Sequence, residues 1–125
     1  MEVNSKELHI TYSAIPTYEN VSYAFERLIT PITIATSFEP YKDSWEQFNI
    51  VLDIIKKLVI IYDKTKDLTK INMKELKKVD DILYELDGKY LSTEGLYAEN
   101  AYIWLGQIQI LINKALNERD GVNGL

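Results

Sequence analysis

WEQFNIVLDIIKKLVIIY, residues Trp45–Tyr62, carries two apolar stripes at helical spacing. Trp45, Phe48, Leu52, Ile55, Val59 and Tyr62 step by three and four, which places them along one line of an α-helix. Val51, Ile54, Leu58 and Ile61 form a second line beside the first. Together the stripes span about half of the helix circumference, wider than a two-stranded seam needs. A helix with that face has to touch at least two neighbours. Glu46, Asn49, Asp53, Lys56, Lys57 and Lys64 take the other side. Asp43, with Glu46 three residues on, reads as a capping box at the start. Lys64 and Lys66 suit the negative end of the helix dipole.

Working outward, the neighbours appear on both sides. Val21, Phe25, Leu28 and Ile32 recur at helical spacing and predict a helix from about Tyr18 to Thr30. Pro31 removes a backbone donor there, so a kinked continuation towards Phe38 is expected. The β-branched residues of Ile32–Phe38, ITIATSF, pull that continuation towards strand. Downstream, Asn72 with Glu75 opens a third helix along Leu76, Val79, Leu83 and Leu86, with Gly88 as its stop. Ser92 or Thr93 opens a fourth, running to about Arg119 on an arc that includes Tyr97, Ala98, Ala101, Trp104, Leu105, Ile108, Leu111 and Ile112. Leu8, Ile10 and Tyr12 alternate with polar residues, so residues 1–16 read as a short extended arm or strand. Connections of these lengths favour antiparallel neighbours. The expected fold is all-α: a four-helix up-and-down bundle over residues 17–120, its first helix kinked at Pro31, preceded by the arm and followed by a frayed tail over 121–125.

The 125 residues suit one domain. No Cys is present, which excludes disulfides and thiolate metal sites. MEVNSKELHI has neither a basic start nor an apolar run, and no stretch approaches the roughly 20 apolar residues of a membrane span. A soluble, cytoplasmic protein is expected, with no membrane partner. The net charge of −5 argues against wholesale wrapping of nucleic acid. Lys, Ile, Asn and Tyr abound while Arg occurs only at Arg27 and Arg119, the composition of an AT-rich genome. Small size and the absence of a catalytic signature then make a viral or phage accessory protein, or one from another mobile element, the expected setting.

His9 is the only histidine, so mechanisms needing two in one chain are excluded. The Glu-x-x-His pair of di-iron bundles, nucleophile elbows and Gly-rich phosphate loops are absent. No catalytic residue, cofactor or metal is expected. One alternative is an Mg²⁺-dependent all-α phosphohydrolase drawing on Asp53, Asp80, Asp87 and Glu99, since acids on facing helices hold that ion. Asp80 and Asp87 lie one heptad apart beside the third helix's apolar stripe.

Two features point to contact instead. Ile103 and Ile110 fall opposite the core arc of the fourth helix, with Gly106 on the neighbouring stripe. With Ile60 on the second helix they form a candidate interaction face for a homodimer or a protein partner. Lys64, Lys66, Lys70, Lys74, Lys77 and Lys78 form a basic patch, and residues 64–78 carry a net +4 in an acidic chain. Lys74, Lys77 and Lys78 stand in the opening turns of a helix, where the dipole disfavours cations. Such a patch binds phosphate or an acidic partner; nucleic acid is the weaker alternative, because no aromatic or Arg interleaving accompanies it. The function expected is therefore a non-enzymatic protein–protein interaction module that self-associates or binds a protein partner.

Overall fold

The computed structural model describes residues 20–91 and 96–119. The expected arm over residues 1–16, the tail over 121–125 and the fourth helix's start at Ser92 or Thr93 lie outside the described residues. Within them the chain is all-helical: α1 (Val21–Ala35), α2 (Trp45–Thr65), α3 (Met73–Lys89) and α4 (Leu96–Arg119), joined in part by 3-10 helices at Glu39–Ser44 and Leu68–Lys70. No helix there is long and apolar enough to cross a membrane.

α2 realises the two stripes that defined it. Phe48, Val51, Leu52, Ile54, Ile55 and Leu58 are buried. Ile61, at the end of the second stripe, is exposed instead. α1 and α3 each pack against both α2 and α4, so the four helices enclose one core. Leu28, Ile32, Phe48, Ile55, Leu76, Leu83, Leu105 and Ile108 lie at its centre without solvent contact. Each such side chain contributes about 1.5–3 kcal/mol by burial. The exposed Lys77–Asp81 pair, at 3.2 Å, contributes about 0.3–0.5 kcal/mol, so burial and not surface charge holds the fold.

The junctions differ from expectation in instructive ways. α1 runs as one helix through Pro31 to Ala35, so Ile32, Thr33 and Ile34 are helical, while Phe38 beyond the helix is extended. Thr30 and Thr33 donate their hydroxyls to the Glu26 and Ile29 carbonyls, both at 2.9 Å, which accommodates threonine within the helix. The Asp43 capping box does not form at α2. Asp43 lies inside the 3-10 helix Glu39–Ser44, and that helix supplies a carbonyl, Lys42, to the Trp45 N–H. At α3 the expected cap is present: Asn72 Oδ1 accepts from the Lys74 and Glu75 amides at 2.8 and 3.2 Å. Gly88 does not stop α3, which continues to Lys89.

Tyr41 closes one end of the core. Its ring stacks on Phe48 at 5.1 Å and meets Tyr90 at 4.3 Å and Phe38 at 4.9 Å. Its hydroxyl accepts from the Ala98 amide near the start of α4 at 3.2 Å. Burial raises the Tyr41 phenol above its ordinary pKa. Beside it, the Ser44 and Tyr90 hydroxyls share a hydrogen bond at 2.8 Å, and Lys89 Nζ donates to Ser44 Oγ at 2.9 Å. These contacts bind the α1–α2 connection to the end of α3 and the start of α4.

Candidate functional site

α1 has a second stripe besides the one it buries. Tyr23, Arg27, Thr30 and Ile34 step by four, three and four along its exposed side. On α4, Tyr97, Asn100 and Trp104 step by three and four. The two stripes border a shallow groove of about 130 Å³, which Arg27, Thr30, Pro31, Ile34, Tyr97, Asn100 and Trp104 line. Pro31 has no N–H to offer the Arg27 carbonyl, so that carbonyl lacks its usual intrahelical donor.

Three side chains at the groove interlock. The Tyr23 and Trp104 rings meet edge to face, 5.8 Å apart at 88°. The Arg27 guanidinium carbon lies 5.9 Å from the Tyr23 centroid and 5.6 Å from that of Trp104. Cation–π contacts at exposed positions contribute about 0.5–1 kcal/mol each and fix the side chains' orientation. Tyr23 nonetheless remains 52 % exposed, and Ile34 is also exposed. Arg27 makes no ion pair or hydrogen bond among the described residues. Trp, Tyr and Arg are the side chains that most often anchor protein interfaces. The spacing of Tyr23, Arg27 and Ile34 carried this face in the sequence. Spacing alone does not mark the face, because Trp104, on the apolar arc of α4 and packed against the core, is half-buried and meets Tyr23 only through the fold.

The sequence-expected contact residues separate. Leu105–Gln109 are five consecutive buried residues, more than one full turn, so α4 is covered on all sides there. Gly106 is thus interior, Ile103 and Ile110 are half-buried within a single chain, and Ile60 on α2 stays open at 54 %.

The six lysines separate too. Lys77 pairs with Asp81, and Lys64, Lys74 and Lys78 are exposed. Lys66 and Lys70 line a cavity of about 570 Å³ together with Arg119, Asp67, Thr69, Tyr62, Val21, Leu68, Ala115 and Glu118. Asp67 Oδ1 accepts from the Thr69 hydroxyl at 2.7 Å and amide at 3.0 Å, and these bonds, with Lys70 and Arg119 nearby, lower its pKa.

Of the carboxylates, Asp87 and Glu99 come close enough for Glu99 to add to the burial that raises the Asp87 pKa. Asp80 is fully buried, and Asp53 is exposed on α2. Tyr102 lies near Asp80 and Asp87, and burial first, then these acids, raise its phenol well above the ordinary range. No three acidic or histidine side chains among the described residues converge as metal ligands would.

No protein-family model, curated protein or solved structure matches the chain.

Proposed function

We propose that this chain is a non-enzymatic interaction module, an up-and-down four-helix bundle that self-associates through the α1–α4 groove. The observation that carries the reading is the Tyr23–Arg27–Trp104 cluster: two aromatic rings and a guanidinium, without an ion pair among the described residues, in mutual contact at the surface. Pre-ordered anchors lose little side-chain freedom on binding, which is what makes a contact productive. Arg27 is the single charged side chain among the described residues that line the groove, so the patch has no strong net charge to oppose a second copy of itself. Support for the up-and-down order comes from the cavity, which joins Val21 at the start of α1 to Tyr62 near the end of α2 and Arg119 at the end of α4.

Light scattering on a sizing column tests the proposal with wild type and Tyr23→Glu/Arg27→Glu, both exposed positions. A wild-type dimer and a folded, monomeric double variant are expected. A dimer that persists in the double variant overturns the assignment of this groove.

A further inference from the structure

The cavity at the other end of α1 shares no lining residue with the groove, and its volume, about 570 Å³, falls in the range of small-molecule sites. From its side chains we infer that it binds a small phosphomonoester bearing an apolar body. Lys66, Lys70 and Arg119 supply cationic groups, while Val21, Tyr62 and Leu68 supply an apolar wall.

Asp67 and Glu118 bring two carboxylates to the same lining. Asp67 is held by the Thr69 hydroxyl and amide. The end of α2 carries a partial negative charge, and the Lys66 amide answers it by donating to the Tyr62 carbonyl at 2.7 Å. Lys70 makes no ion pair among the described residues, and the Lys66–Asp63 pair is loose, at 3.9 Å between exposed groups. The three cationic groups of the lining exceed its two carboxylates by one charge, which favours an anion there.

Lys66 adds an independent sign. Its backbone is left-handed, φ 52° and ψ 31°, at the position after a helix where glycine is the usual residue. A side chain with a Cβ is disfavoured there, and such strained residues cluster at ligand sites. Glycine would relieve the backbone but remove the ammonium group from the cavity. Lysine at this position therefore carries its ammonium group on a backbone conformation that favours glycine.

Amide NMR on the full chain, titrated with phenyl phosphate and separately with inorganic phosphate, tests the site. Phenyl phosphate is expected to shift the amides of residues 66–70 and to bind about tenfold more tightly than inorganic phosphate, a difference the apolar wall supplies. Lys70→Gln is expected to weaken phenyl phosphate about tenfold. Lys66→Gly is expected to weaken it similarly while raising the melting temperature, a pairing that a purely structural lysine would not give. The inference is overturned if excess phenyl phosphate moves none of these amides, or if both variants keep wild-type affinity. Equal affinity for the two probes overturns the apolar-body assignment.

Discussion

Gln109 is 0 % exposed, and neither its amide nitrogen nor its amide oxygen meets a hydrogen-bond partner among the described residues. A buried polar group left unpaired costs about 1–3 kcal/mol. Gln109→Met, of nearly the same shape, is therefore expected to raise stability by about 1 kcal/mol or more in a urea titration. A loss of stability instead would mean that the amide is satisfied in solution. Gly88 offers a second gain. It sits within α3, and a Cβ built there meets nothing within 4 Å. Gly88→Ala is expected to add about 0.5–1 kcal/mol, because glycine loses more chain freedom in a helix than alanine does. Neither effect was legible in the sequence. Gly88 resembled a helix stop because the residue type matched, whereas only its backbone conformation could show that it is not one. Gln109 was unreadable because its burial depends on what packs around α4.

At the level of elements, legibility followed apolar periodicity. The spacing of Trp45–Tyr62 located α2 at its observed first residue, and Leu76, Val79, Leu83 and Leu86 are all buried as their spacing implied. Boundaries set by side-chain chemistry were less certain. Asn72 caps α3 as read, yet Asp43 caps nothing because the preceding 3-10 helix already supplies carbonyl acceptors. Tyr41 shows what periodicity cannot carry: a residue between helices that stacks in the core and accepts from the Ala98 amide of α4. Tyr41→Phe keeps the ring and removes the acceptor, so a cost of about 1–3 kcal/mol is expected, with the helical signal retained below the transition. Between α3 and α4, burial and Glu99 raise the Asp87 pKa. Folded Asp87 thus holds its proton to higher pH than unfolded Asp87, and stability falls as pH rises from the ordinary carboxylate range through the raised value. Asp87→Asn is therefore expected to melt higher than wild type at neutral pH. The advantage is expected to vanish at acidic pH, where both states of the wild type are protonated. An advantage that does not change with pH contradicts the electrostatic cause.

For the whole molecule, the exposed stripe of α1 gains its ring and cation contacts from α4. Ile103 and Ile110 fall opposite the core arc of α4, but neighbouring helices and α4 itself decide what remains open, and that information is tertiary. Tyr23, Arg27 and Ile34 were available at helical spacing, but only the fold places Trp104 beside them. The lysine run divided for the same reason: chain order gathers six lysines, while the fold sends two of them into a cavity with Arg119. A dilution series from millimolar to micromolar protein, followed by amide NMR, tests the proposed self-association through the α1–α4 groove. Concentration-dependent shifts confined to residues 23–34 and 97–104 are predicted. Spectra that do not change on dilution, or shifts centred on Ile60 and Ile61, contradict it.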